Sequence, residues 1–300
     1  MIVANQALPD AFFESLGLLK RLHLLSLAEN DQGDEADVIR EAMERLWWRL
    51  SDVERDRLDG LSADLYSIGE NRPAPARVGD DVTKSFEAAI SSGKWDDALE
   101  VLRQHEAALP PSDVAALRGV AWGSLGHHNI AALFFAEAVR LRPDDINPKC
   151  LYLRALVRAG ERERAKEEAT RLADAANNSC DLLLAADVLF DCEQPESAEP
   201  NVETLRRIAA LAERALIAWK AEPIGEALSR VACAGFLSGA ISSEWIGEHA
   251  RSDKLYAMAQ TLLPRAVPLV SPGSQRKGSN FVTTLLQAKH QVEAQLLSAN

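Results

Sequence analysis

The feature that most constrains the fold is a set of small residues that recurs every 33 or 34 residues. Three consecutive segments carry it: 79–111, 112–145 and 146–179. Each has a glycine and, five residues later, an alanine; in the first two a proline follows twelve residues after the alanine. The matching residues are Gly93, Gly126 and Gly160, then Ala98, Ala131 and Ala165, then Pro110 and Pro143. Three units at this period predict a stack of helical hairpins.

Each member of the set has a physical role in such a hairpin. The glycine ends the first helix, because it adopts the left-handed conformation of a C-cap without steric cost. The alanine lets the two helix backbones approach each other, and the proline stops the second helix. A single hairpin cannot bury its apolar face, so the units stack and their inner wall forms a groove.

The middle segment, 112–145, carries the fullest version of the pattern. It comprises Gly119, Trp122, Gly126, Ala131, Phe135, Ala138 and Pro143. These spacings resemble those of a tetratricopeptide repeat (TPR). The resemblance covers residues 79–179 and implies an all-α, TPR-like α-solenoid of helical hairpins. It also implies a non-enzymatic scaffold or adaptor that binds a protein or peptide partner.

The N-terminal quarter lies outside the repeats. Residues 1–70 contain three amphipathic patterns and predict an additional helical segment. Ser51 and Glu54 have capping-box spacing at the start of the third helix. Residues 71–78 contain two prolines and predict a linker before the three TPR units of 79–179.

The C-terminal region, 180–300, predicts a divergent, TPR-like continuation. A fourth hairpin is expected from 182–189 and 202–219. A fifth is expected from 224–237 and 252–263, with Trp245 in a short segment between them and Pro264 as terminator. The last helix is expected to cap the array. Its apolar face is predicted to hold Phe281, Leu285, Val292 and Leu296, with its Gln, Lys and Glu side chains opposite.

The TPR resemblance also implies which side chains line the groove, since proteins of this family hold a peptide or a partner helix on first-helix residues. The implied positions are Asp80, Thr83 and Glu87 in the first repeat, Asp113, Ala116 and Val120 in the second repeat, and Asn147, Arg154 and Arg158 in the third repeat. This wall runs from acidic through small and apolar to basic, which suits an amphipathic helix or a mixed-charge segment. Glu87 would repel a terminal carboxylate, which argues against a receptor for chaperone tails.

Two adjacent tryptophans, Trp47 and Trp48, form a second candidate surface. Neighbouring residues point about 100° apart on a helix, so both cannot enter one small core. One interpretation is that one of them anchors a partner, as tryptophan often does at binding hot spots. The other is that Trp48 covers the junction with the repeat array. The alternative function is therefore a structural subunit of a larger or self-associated assembly that docks through its N-terminal helices. The sequence leaves the oligomeric state open.

Charge and composition exclude several classes of function. The net charge is −12, which disfavours nucleic acids and anionic membranes as partners. We find no signal-peptide pattern at the N-terminus and no apolar run of about 20 residues, so we expect a cytoplasmic protein. Arginine outnumbers lysine by 24 to 9, which favours a GC-rich bacterial source.

No motif for chemistry stands out, so we predict no enzymatic activity, no cofactor and no metal. The four cysteines lack metal or redox spacing and are expected to be buried thiols. His127 and His128 are expected to be exposed turn residues without supporting ligands. Residues 273–279 lack the residue order of a phosphate-binding loop. An enzyme with an unrecognised site in 180–300 is the remaining alternative.

Overall fold

The computed structural model describes residues 10–69, 80–193, 201–219, 225–267 and 281–298. Across these ranges the regular structure consists of fourteen α-helices and one short 3-10 turn, with no strand. The prediction of an all-α fold is confirmed. The chain forms two compact units, residues 1–121 and residues 122–300.

The first unit contains six helices, the last of which ends at the start of the second unit. They are α1 (Asp10–Leu27), α2 (Asp34–Trp47), α3 (Asp52–Tyr66), α4 (Asp80–Ser91), α5 (Trp95–His105) and α6 (Pro111–Ser124), with the 3-10 turn at Glu106–Ala108. Helix α1 packs on α2 and α3, and α4 packs on α5. The predicted capping box begins α3: the Glu54 amide donates to Ser51 Oγ, and Glu54 Oε2 accepts from the Ser51 amide at 2.8 Å.

A buried carboxylate joins α3 to the helices that follow it in the first unit. Asp64 of α3 is 1% exposed. Its Oδ1 lies 2.8 Å from Arg118 Nη2 of α6, and its Oδ2 lies 3.6 Å from Arg103 Nη2 of α5. The N-terminal helices are therefore tied to the repeat helices by ion pairs with little access to solvent. The predicted linker, 71–78, lies outside the described residues.

The second unit contains the remaining eight helices. They are α7 (His128–Leu141), α8 (Ile146–Arg158), α9 (Arg162–Ala175), α10 (Ser179–Glu193), α11 (Val202–Ala218), α12 (Glu226–Trp245), α13 (His249–Leu262) and α14 (Phe281–Ser298). From α7 to α13 each helix packs against the next, as in an α-solenoid. Helices α8, α10 and α12 also contact one another, and α14 packs on α12. The unit is thus compatible with a helical-repeat fold.

The same turn precedes α5, α7, α9 and α13. Its glycines have positive φ: 70° at Gly93, 88° at Gly126, 76° at Gly160 and 81° at Gly247. The amide of the next residue donates to the carbonyl five residues before it, at 2.8–2.9 Å in all four turns. This is the Schellman arrangement, which satisfies carbonyls at a helix end. The left-handed conformation predicted for the first three glycines is confirmed.

The fourth copy of the turn corrects the predicted layout of the fifth hairpin. Gly247 is followed at the repeat spacing by Ser252, which is fully buried, and by Pro264. Trp245 was expected in a segment between two helices, but it is the last residue of α12. Its ring stacks on Phe190 with centroids 5.6 Å apart, and this contact with α10 extends the helix to the turn.

Close packing makes α10 and α12 the interior of the second unit. Residues 181–190 of α10 and 231–243 of α12 are all buried. Two glycines of α12 allow this approach: a Cβ at Gly235 would collide with the Leu183 carbonyl of α10, and one at Gly239 with the Ala212 side chain of α11. Helices buried on all sides must place any polar side chain against a partner.

Candidate functional site

Six of the predicted groove residues lie in the first unit, on α4 and α6. Glu87 is exposed, Thr83, Asp113, Ala116 and Val120 are partly exposed, and Asp80 begins α4 with its side chain outside the described residues. The described side chains among these are accessible to solvent, as residues that contact a partner must be. Their contact with a partner stays a prediction.

The other three predicted groove residues lie on α8 of the second unit. Asn147 and Arg158 are exposed at its two ends. Arg154 lies between them, but its side chain is only 13% exposed and its Nη2 donates to Asp187 Oδ2 of α10 at 2.7 Å. Arg154 was predicted to line an open wall, but it lies in a buried ion pair with Asp187.

Asp187 is the centre of a polar cluster in the second unit. Its side chain is 1% exposed and accepts from three other helices: Arg154 of α8, Ser238 Oγ of α12 at 2.9 Å and Lys289 Nζ of α14 at 3.0 Å. Burial alone would raise the pKa of Asp187, but attraction to Lys289 and Arg154 outweighs it and lowers the pKa. The carboxylate is therefore charged and holds four helices at one point.

Lys289 supplies the cation that α14 brings to this cluster. Its side chain is 3% exposed, and its Nζ lies 2.6 Å from Asp191 Oδ1 and also contacts Glu293 Oε1 on its own helix. The same Nζ lies 5.3 Å from the centroid of the Phe190 ring. Burial opposes the charged form, but attraction to Asp187, Asp191 and Glu293 outweighs it and raises the pKa of Lys289.

Asp191 differs from Asp187 although both are on α10. Burial raises the pKa of Asp191 to about 6, with Lys289 opposing the shift and the charges of Asp187 and Glu293 adding to it. The three carboxylates face the two cations Lys289 and Arg154. One proton on the cluster would balance this charge, and of the two aspartates Asp191 is the one whose pKa is raised.

The three carboxylates have the spacing of a cation site. Ligand oxygens of Asp187, Asp191 and Glu293 lie within 4.8 Å of one another, which fits a divalent ion. However, the Lys289 ammonium already contacts all three. The ammonium takes the place of a metal, so the cluster acts as the anchor of α14.

Helix α14 lies with one face against the unit, and that face differs from the prediction. Its buried side chains are Phe281, Leu285, Ala288, Lys289 and Val292. The prediction was correct for three apolar residues, Leu296 lies outside the described side chains, and the placement of the lysine on the opposite face was wrong. Lys289 comes four residues after Leu285 and eight after Phe281, so helical spacing alone places it in the buried stripe.

The direction of α14 follows from its contacts. At its start, the Phe281 ring meets the Tyr256 ring of α13 edge to face, with centroids 5.6 Å apart. Further on, Lys289 contacts Asp187 of α10, which also holds Arg154 of α8. Helix α14 therefore runs back from α13 across α12 and α10 towards α8.

The two candidate docking tryptophans have different surroundings. Trp48 is 76% exposed. Trp47 is partly covered, with Arg55 Cζ 5.8 Å from its ring centroid and Arg55 Nε donating to its carbonyl. The exposure of Trp48 is inconsistent with the interpretation that it covers the junction with the first repeat. Its role as an anchor stays a prediction.

The other candidate residues for chemistry are a histidine and the buried cysteines. His127 was expected to be exposed, but it is 4% exposed because its ring packs 5.7 Å from that of Trp122. Cys192 and Cys233 are buried, which raises their pKa values to about 11 and about 12. Neither thiol is activated, since the thiolate is the reactive form.

One cavity of about 560 Å³ lies where α9 and α11 end and α10 begins. Cys180, Arg214 and Trp219 are among its lining residues. Its described lining contains no histidine or carboxylate, and burial raises the pKa of the Cys180 thiol. The cavity thus lacks a nucleophile paired with a base.

Comparison of the sequence with models of known protein families found no match, and comparison with curated proteins found none either. In the described parts of the chain, no helix is both long enough and apolar enough to cross a bilayer.

Proposed function

We propose that this chain is a non-enzymatic interaction scaffold of the TPR type, which binds a helical segment of a protein partner on the first helices of its hairpins. The recurrent glycine turn before α5, α7, α9 and α13 supports the repeat assignment. The observation that carries the binding function is the seat of α14 on α8, α10 and α12. An amphipathic helix bound across neighbouring helices is a known mode of peptide recognition.

Photo-cross-linking in an extract of the source cells tests this proposal. A photoreactive amino acid is placed at Thr83, Glu87 or Ala116 on first helices, and at Glu100 or Asp174 on second helices as matched controls. We expect one partner to be cross-linked from the first-helix positions and not from the controls. The purified partner should then bind the full chain by calorimetry, and Glu87→Lys should weaken that binding at least fivefold. Equal cross-linking from both sets of positions would contradict a groove on the first helices.

A second candidate function is docking through the N-terminal helices within a larger or self-associated assembly. The observation that favours it is the 76% exposure of Trp48, a residue type common at interface hot spots. This surface and the first-helix groove belong to different elements, so separate substitutions test them.

A further inference from the structure

We infer that α14 is an internal ligand of the part of the proposed partner-binding face that α8, α10 and α12 form in the second unit, and that the partner presents the same four side chains along a helix. These are an aromatic residue, a leucine four residues later, a lysine after four more and an acidic residue after another four. In α14 they are Phe281, Leu285, Lys289 and Glu293. The inference rests on the proposed function, because it names the partner chemistry and the regulation of that same face.

The apolar half of this pattern is set by the helices beneath α14. Phe281 packs edge to face on Tyr256, and Leu285 and Val292 are fully buried. Without α14, this apolar surface of α12 and its neighbours would be open to water. A replacement helix must therefore offer an aromatic residue and a leucine at the same spacing to recover the buried area.

The polar half of the pattern is recognised through the charges of the cluster around Asp187. With α14 removed, Asp187 keeps Arg154 and Ser238 as partners, but Asp191 loses Lys289, the cation in contact with it. The site then holds two carboxylates against one buried guanidinium. A helix that enters without a cation leaves Asp191 either charged and without this cation, at a high cost, or protonated and without the ion pair. The site therefore selects a lysine at this position.

The acidic residue pairs with the lysine on the helix itself. Glu293 Oε1 contacts Lys289 Nζ one turn further along α14, and its carboxylate lies with those of Asp187 and Asp191 within 4.8 Å. The lysine therefore enters the site already paired with one carboxylate and contacts two more when the helix docks. The acid supports the lysine, so it should contribute less to binding than the lysine does.

Exchange of α14 for a partner helix follows from the balance of these contacts. A partner with the same four side chains replaces the contacts of α14 one for one, so the two helices bind the seat with similar intrinsic free energy. Helix α14 has the added advantage of being covalently connected to the seat. The apparent affinity for the partner is reduced by the small fraction of molecules with α14 undocked. Any change that weakens α14 docking should therefore raise the apparent affinity.

The test uses the full chain and a fluorescein-labelled synthetic peptide with the sequence of residues 281–298. Fluorescence anisotropy is measured with wild type, with the full-length variants Lys289→Gln and Phe281→Ala, and with Gln287→Ala, which changes an exposed residue of α14 as the matched control. We expect the peptide to bind both weakened variants at least tenfold more tightly than it binds wild type or the control.

Peptide variants test the pattern itself. On the Phe281→Ala chain, a peptide with Lys289→Gln should bind at least tenfold more weakly than the unaltered peptide, and one with Glu293→Gln a few fold more weakly. The Phe281→Ala chain keeps the charge cluster complete. If circular dichroism shows that the Lys289→Gln chain does not fold, the comparison is made with the Phe281→Ala chain alone.

Two outcomes would overturn the inference. One is peptide binding that does not differ between wild type and the Phe281→Ala chain, although hydrogen exchange shows α14 released. The other is equal binding of the unaltered peptide and its Lys289→Gln form. A partner cross-linked from Glu87 without any peptide binding would preserve the proposed function and overturn this inference. Peptide binding without any cross-linked partner would overturn the proposed function, and with it the claim that a partner carries this pattern.

Discussion

Two aspartates one turn apart on α10 show how partners, and not burial alone, decide the charge of a side chain. Asp187 is held by Arg154, Lys289 and Ser238, and its pKa is lowered. Asp191 has a contact with Lys289 but shares that cation with two other carboxylates, and its pKa is raised to about 6. The first is fixed as an anion, and the second is poised to take a proton near neutral pH.

We expect Asp187→Asn to destabilise the chain by about 3–5 kcal/mol, because it leaves Arg154 and Lys289 buried without their shared anion. Asp191→Asn should change the free energy of unfolding by less than about 1 kcal/mol, because it removes the excess negative charge. Urea unfolding at pH 7 measures both. Equal losses from the two substitutions would contradict the central position of Asp187.

The raised pKa of Asp191 also predicts a dependence of stability on pH. The folded state binds this proton more tightly than the unfolded state, so the contribution to stability is complete below the ordinary value of 3.8 and is lost as pH rises through about 6. Between pH 7 and pH 4.5, wild type should gain on the order of 1–2 kcal/mol relative to Asp191→Asn, allowing for partial solvent screening. Urea unfolding of both chains at the two pH values measures it; a constant difference would contradict it.

At the residue scale, the sequence predicted the apolar stripe of α14 but not its lysine. Hydropathy places a lysine with the polar residues, whereas helical spacing places Lys289 between Leu285 and Val292. What decides between them is the pair of aspartates on α10, about a hundred positions earlier in the chain. A local pattern holds no information about a partner so far away.

At the scale of elements, the recurrent turn is the part of the fold that sequence describes best. Its backbone is fixed by hydrogen bonds within the turn and by a glycine with positive φ, both of which are local. Three copies were predicted from spacing. The fourth was missed because Ser252 and Tyr256 stand where the repeat at 112–145 has Ala131 and Phe135. The spacing of Gly247 to Pro264 repeats that of Gly126 to Pro143 and was the available signal.

Two neighbouring glycines provide a matched test of this turn. Gly126 has φ of 88°, so Gly126→Ala should destabilise the chain by about 1–2 kcal/mol through backbone strain. Gly123 lies within α6, and a Cβ there would meet Ala131 Cβ at 3.6 Å, an ordinary contact. Gly123→Ala should therefore be neutral or stabilise by up to about 1 kcal/mol. Thermal unfolding compares them, and the reverse ranking would contradict the turn geometry.

At the scale of the whole molecule, each unit is held together at a buried carboxylate. Asp64 joins α3, α5 and α6 in the first unit, and Asp187 joins α8, α10, α12 and α14 in the second. Composition and period predicted an all-α array, because apolar spacing along each helix is enough for that. Neither carboxylate was predicted, since their partners come from helices far apart in the chain.

The exposed Trp48 gives the prediction that separates the two functions at this scale. Trp48→Ala should change the free energy of unfolding by less than about 0.5 kcal/mol, because the side chain is 76% exposed. If the N-terminal helices dock to a second copy, the substitution should lower the mass measured by light scattering at high concentration. The control is Trp122→Ala, which removes a fully buried ring and should cost about 3–5 kcal/mol. An unchanged mass for Trp48→Ala would count against self-association through this residue.

The position of α14 along the chain has a consequence for synthesis. The seat of α14 is complete only once α12 has been made, and α12 ends at Trp245, 44 residues before Lys289. At roughly 5–20 residues per second, the ribosome makes those residues in about 2–9 s. During that interval the nascent protein has the seat and does not yet have α14. A partner helix of the kind proposed above would find the seat most accessible then, so the order of translation would favour assembly before closure.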